Sequence, residues 1–263
     1  MAKDKIMKIL SAVQEIGEKI FSLGSKIISK IISQVHFLDP KENTKQRVVT
    51  ALILIPVALY AILYSKSIFL LLAIAIAILM TAEWLDIIKS AQDQKKWRLI
   101  GLFYILIPIY SVIKIRLYDA DILFWMFAVI WATDIFAFFA GRSLGGPKLA
   151  PKISPNKTWS GLAGGLFASV MIGMMSSFMF SGGVLFFIFI SAMLSIIEQI
   201  SDLLESKFKR IFGVKDSGNL IPGHGGVLDR LDGMMLVAPA VLFLITVFPS
   251  KFGGRITVVS RKS

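Results

Sequence analysis

Long, unbroken apolar runs constrain this chain more than any other feature. They fall near 48–64, 67–82, 98–113, 122–140, 162–180, 183–199 and 234–249. A soluble core cannot absorb so many, whereas each fits the pattern of a helix crossing a bilayer. The chain is 56% hydrophobic and 17% charged, and the charge that a soluble domain of 263 residues spreads over its surface is here confined to the connections. The expected fold is all-α: a polytopic integral membrane protein with seven to nine transmembrane helices. Several runs are short of the roughly 20 residues a span needs, so their boundaries are soft, and the region 200–233 has room for further half-helices. Pro56, Pro108 and Pro239 fall inside runs, where neighbouring helices can satisfy the freed backbone.

Residues 1–44 have a different character. Apolar residues recur there at a helical period, and Lys3, Lys5, Lys8, Lys19, Lys26 and Lys30 lie mostly off that stripe. The pattern predicts an amphipathic interfacial helix on the membrane surface, with a loosely ordered extension as the alternative. It lacks the apolar core and cleavage site of a secretory signal. Three regions are thus expected: 1–44, a basic amphipathic extension; 45–250, the membrane-embedded domain; and 251–263, a basic tail. With the N-terminus in the cytoplasm, inside segments carry 22 of the 29 Lys and Arg residues and outside segments carry 7. The bias favours that orientation, although the basic tail then lies outside. The net charge of +12 therefore reads as topology and contact with anionic lipid, and no nucleic-acid partner is expected. With no cysteine in the chain, disulfides and thiolate-held metals are excluded.

Two unusual segments share the expected inside face. One is "GRSLGGPKLAPKISPNKTWSG", 141–161, where Ser154, Asn156, Lys157 and Thr158 offer hydroxyl, amide and ammonium donors. A solvated loop with Trp159 at the interface is its plainer reading. The other is 200–233, which balances Asp202, Glu205, Asp216, Asp229 and Asp232 against Lys207, Lys209, Arg210, Lys215 and Arg230. A mere topology anchor would be basic. Asp229 and Asp232, like Asp202 and Glu205, are spaced to share a helix face, and Glu198 extends the latter stripe. Clustered carboxylates repel unless protonated or bridged by a cation, and an oxygen-only set suits Mg²⁺ beside phosphate. Salt bridges within the loop are the competing account. "PGHGG" can bring backbone N–H groups to an anion or simply form a tight turn. His224, inside it, reads more naturally as a structural residue than as a catalyst. Asp134 interrupts "FWMFAVIWATDIFAFFAG", and an ionisable group there usually faces a polar cavity or a partner. Glu83, nearer a helix end, reads as an interface marker. Together these features point to metal-assisted phosphoryl or nucleotidyl transfer at the cytoplasmic face, with lipid reaching the site through the apolar spans.

At this point a resemblance is specific. "SKFKRIFGVKDSGNLIPGHGGVLDRLD", Ser206 to Asp232, resembles the signature of the phosphatidate cytidylyltransferase (CDP-diacylglycerol synthase) family. "KQRVVTALILIPVAL", "WATDIFAFFAGRSLGG", "LAPKISPNKTWSG" and "EQISDLLESKFKR" resemble its other motifs, so the similarity runs from about 45 to 250. Ser201 stands where the family usually has glycine, and Ser160 where it usually has glutamate. The resemblance implies a Mg²⁺-dependent transfer of CMP from CTP to phosphatidic acid, giving CDP-diacylglycerol and pyrophosphate in phospholipid biosynthesis. It implies Asp202 and Asp229, then Asp232, as metal ligands, and Lys215 and Asp216 near the chemistry. Ser154, Asn156, Lys157, Thr158, Lys209, Arg210, His224 and Arg230 would form the substrate-binding set. A second cation, a homodimer and a bacterial inner membrane with the site facing the cytoplasm complete the expectation. The alternative from another class is a transporter using intramembrane carboxylates. A CDP-alcohol phosphotransferase fits poorly, because only Asp232-Gly233 is reminiscent of its motif.

Overall fold

The computed structural model describes residue 52 and residues 55–218 and 225–253. The predicted interfacial helix within 1–44, the basic tail from 254 and His224 lie outside the described residues. A first helix, α1, covers 55–63. It is followed by α2 (Lys66–Ile87), a 3-10 turn (Ile88–Ser90), α3 (Gln94–Tyr118) and α4 (Ala120–Leu144). A hairpin of β1 (Lys148–Ala150) and β2 (Ser154–Thr158) leads into α5 (Trp159–Ser176) and α6 (Val184–Ile211). Last come α7 (Leu228–Leu231), α8 (Met234–Val247) and α9 (Pro249–Phe252). Among the described residues five helices, α2 to α6, are long and apolar enough to span a membrane, and α8 is a shorter apolar helix. The fold is all-α and polytopic, as the apolar runs predict.

Local chemistry sets the boundaries. The side chains of Ser65, Asp93, Asp119 and Thr158 each accept a backbone N–H in the first turn of the helix that follows. Gly145 and Gly146 adopt positive φ and turn the chain out of α4 into the hairpin. Pro108 and Pro239 sit inside α3 and α8.

The helices pack in sequence order, α2 on α3, α4 on α5 and α5 on α6, while α8 returns against α3 and α6. Small residues let α5 lie close to α4. A Cβ added at Gly164 would come 2.4 Å from Ala140 Cβ and 2.9 Å from the Phe136 carbonyl, and one at Gly161 would come 2.9 Å from the Ala137 carbonyl. Near the two ends of the bundle, aromatic residues interlock. Trp84, Trp97, Tyr104, Phe208 and Phe212 join α2 and α3 to the late part of α6, with ring centroids 4.8–6.5 Å apart. Trp125, Phe180, Phe187 and Phe252 join the start of α4 to the start of α6.

Two features differ from the sequence reading. The segment after 199 does not begin as a loop, because α6 continues unbroken to Ile211. The SPNKT segment is a strand, antiparallel to β1. Three- and five-residue polar strands carry too little alternation to be recognised from sequence.

Candidate active site

The late part of α6 presents Glu198, Asp202, Glu205 and Lys209 at helical spacing. Across from it, the single turn α7 and the start of α8 place Asp229 and Asp232. Oxygens of Asp202, Glu205 and Asp232 all lie within 4.8 Å of one another. Asp229, expected as a metal ligand with Asp202, borders this group and has several further partners. Its Oδ1 accepts from Lys209 Nζ at 2.7 Å, and its two oxygens accept the Ser217 N–H at 3.2 and 3.0 Å. Oδ2 also accepts the Gly226 N–H at 3.1 Å. Burial alone would raise the Asp229 carboxyl, but Lys209 and these amides outweigh it and hold the group below the usual carboxylate range. The third member of the group is Glu205, which the stripe through Glu198 and Asp202 contained.

The group fits a hard divalent cation. Both Glu205 oxygens are buried and accept no well-directed hydrogen bond, although Lys209 Nζ lies 2.7 Å from one of them. Asp232 Oδ1 accepts the adjacent Gly233 N–H at 2.8 Å. Burial first, and then the charges of Asp202 and Glu205, push the Asp232 carboxyl up to about 8. The Tyr104 hydroxyl is buried without a partner in the field of the same three carboxylates. Three oxygen donors that repel one another, with unsatisfied polar atoms around them, form a set that an all-oxygen cation such as Mg²⁺ would satisfy.

Asp202 also lines a cavity of about 580 Å³ between α4, the hairpin, α5 and α6. Asp134, Gln199 and Asp202 supply its polar floor; Arg142, Lys148, Ser154, Asn156, Lys157 and Thr158 supply the rest of its polar lining. Lys157 Nζ lies 2.5 Å from Asp202 Oδ2 and donates to Gln199 Oε1 at 2.8 Å. Gln199 Nε2 in turn donates to Glu198 Oε2 at 2.9 Å, and the Glu198 and Asp134 carboxyls lie close enough to feel each other's charge. Asp134 thus faces a polar cavity, as an intramembrane acid is expected to.

The two serines that depart from the family pattern are both engaged. Ser201 donates to the Asp232 carbonyl and accepts the Leu236 N–H at 3.2 Å. Ser160 donates to the Gly145 carbonyl and contacts Thr158.

Of the remaining expected residues, Lys209 is buried between Glu205 and Asp229. Arg210 donates to the carbonyls of Ile153 at 3.4 Å and Val214 at 3.0 Å, tying the hairpin to the end of α6. Lys215, Asp216 and Arg230 are exposed. Sequence reasoning missed Arg142, Lys148 and Gln199. Arg142 and Lys148 had only their place in a basic segment to mark them. Gln199 had a clearer signal, a polar residue next to Glu198 at the end of an apolar run.

The helices define a polytopic membrane protein, and its acidic, basic-rimmed cavity sets cationic and polar donors beside clustered carboxylates. The cytidylyltransferase family model matches residues 45–118 and 97–248. The chain belongs to that family. A protein of Rickettsia bellii named phosphatidate cytidylyltransferase is 43% identical over 217 residues, 78% of this chain and 91% of the relative. Its Rickettsia felis counterpart is 40% identical over 220 residues, 80% of this chain and 95% of the relative. A Brucella abortus protein of the same name is 47% identical over 175 residues, 64% of this chain and 61% of the relative.

Proposed function

We propose that this chain transfers CMP from CTP to phosphatidic acid, releasing pyrophosphate and forming CDP-diacylglycerol for phospholipid synthesis. An oxygen of the lipid phosphate attacks the α-phosphorus of CTP, the bond to the bridging oxygen of the β-phosphate breaks, and pyrophosphate carries the electron pair away. The substrate supplies the nucleophile, so the protein's task is orientation and charge neutralisation. The observation that carries this reading is that Asp202 belongs both to the carboxylate trio and to the wall of the basic-rimmed cavity.

In this reading Asp202, Glu205 and Asp232 hold Mg²⁺, which supplies neutralisation of phosphate charge. Lys157 keeps the Asp202 carboxylate turned toward the cavity through their ion pair. Arg142 and Lys148, with Ser154, Asn156 and Thr158, offer donors to the phosphates. Asp229 and Lys209 fasten the turn that carries Asp232. Among the ends of the described helices, the site end holds Lys89, Lys95, Lys96 and Arg98, which fits a cytoplasmic face of a bacterial inner membrane.

The test uses purified protein with labelled CTP and phosphatidate, with and without Mg²⁺. Lipid-extractable label and pyrophosphate should appear together, only with metal, and both should vanish in Asp202→Asn and Asp232→Asn. Label that stays with the nucleotide refutes the reading, and substrate movement without pyrophosphate release favours a transporter.

A further inference from the structure

Glu83 lies in the last turns of α2, far in sequence from the signature, and is only 2% exposed. Its Oε1 accepts the Val227 N–H at 2.7 Å, and its Oε2 accepts the Leu228 N–H at 2.8 Å and the Ser217 hydroxyl at 3.1 Å. Both arms of the signature segment, at 217 and at 226–228, thus close on one carboxyl from another helix. The approach is tight. A Cβ on Gly226 would stand 1.8 Å from Ser217 Oγ and 2.9 Å from Glu83 Oε2, and one on Gly218 would stand 3.1 Å from Glu83 Oε1.

The turn that Glu83 holds cannot hold itself. α7 is four residues long, too short to be stable alone, and its leading N–H groups need an acceptor. Asp232 follows immediately after this turn. Its position beside Asp202 and Glu205, which come from a different and rigid helix, therefore depends on what fixes α7.

We propose that Glu83 is a positioning residue of the active site: by accepting from Ser217, Val227 and Leu228 it sets where Asp232 stands relative to Asp202 and Glu205. The proposal rests on the reading of that trio as the divalent-cation site. Glu83→Gln keeps the volume but puts an NH₂ against a donor, so the turn shifts while the bundle remains. Loss of such an outer partner weakens metal affinity by about tenfold or more.

The experiment measures Mn²⁺ affinity by electron paramagnetic resonance on detergent-purified full chain, alongside the Mg²⁺ dependence of turnover and a thermal melt. Glu83→Gln is expected to weaken Mn²⁺ binding and to raise the half-activating Mg²⁺ concentration by about the same tenfold factor, with turnover at saturating Mg²⁺ retained in larger part. Ser217→Ala, which removes one of the three donors, should shift both in the same direction by less, and it serves as the test if Glu83→Gln does not fold. Wild-type metal dependence in a folded Glu83→Gln protein overturns the proposal. So does activity that falls in proportion to the folded fraction at every Mg²⁺ concentration. An Asp202→Asn control separates the layers. If it leaves Mn²⁺ affinity intact, the metal reading fails and the proposal with it; if it removes binding while Glu83→Gln does not, only the role of Glu83 is lost.

Discussion

Replacing Lys209 with methionine tests how the site end of the bundle is held. Lys209 Nζ lies 2.7 Å from both Asp229 Oδ1 and Glu205 Oε2, and the three side chains are 4–11% exposed. One such pair is worth ~6 kcal/mol at an effective dielectric near 20, before desolvation is set against it. Removing one partner of a buried pair costs about 3–5 kcal/mol, because the other charge stays behind unpaired. At about 2–4 °C per kcal/mol for a domain of this size, the melting temperature should fall by about 6–20 °C. Tryptophan fluorescence on detergent-purified protein reads this directly. Adding Glu205→Gln to Lys209→Met should recover part of the loss, because one stranded carboxylate is gone. The difference should also shrink in acid. Asp229 has a lowered value in the fold, so its stabilisation is present above the ordinary carboxylate range and is lost as pH falls through that lowered value. A methionine variant that melts within 2 °C of wild type, roughly one kcal/mol or less, refutes the reasoning. So does a double variant that recovers nothing.

Three further outcomes follow from the geometry. Asp232 is an acid whose value in the fold is raised to about 8. Metal-free protein should therefore lose stability as pH rises from the ordinary carboxylate range to about 8 and no further above it. The Mg²⁺ concentration for half-saturation should drop over the same window, and a flat titration by calorimetry counts against that assignment. Gly164→Ala places a methyl 2.4 Å from Ala140 Cβ, so overpacking should cost about 1–3 kcal/mol and lower the melting temperature; an unchanged melt would show that α4 and α5 can separate freely. Ser201→Ala takes the side-chain acceptor from the Leu236 N–H and leaves the Asp232 carbonyl with the Met235 N–H alone, at a cost of about 1–3 kcal/mol, and an unshifted melt would show that this contact is dispensable.

The membrane character was legible because seven apolar runs leave a soluble chain no way to fold, and the acids of 200–233 were legible because balanced charge is out of place beside lipid. The partition of those acids was not. Asp229 and Glu205 are both carboxylates near signature positions, and only the fold shows that Asp229 spends its oxygens on Lys209, Ser217 and Gly226 while Glu205 faces Asp202 and Asp232. Glu83 read as an interface marker because its partners are backbone N–H groups far along the chain, which leave no trace in side-chain pattern. The hairpin was hidden because its registration, Lys148 with Thr158 and Ala150 with Ser154, depends on backbone pairing rather than apolar alternation.

The 28 residues of α6 form one rod about 42 Å long, while the hydrocarbon of a bilayer is about 30 Å thick. With Val184 at one hydrocarbon boundary and the rod along the bilayer normal, Asp202 would stand at about 27 Å and Glu205 at about 32 Å, where acyl tails give way to headgroups. A carboxylate set fixed along such a rod takes its depth from the thickness of the surrounding bilayer, so the proposed chemistry is expected to depend on lipid chain length.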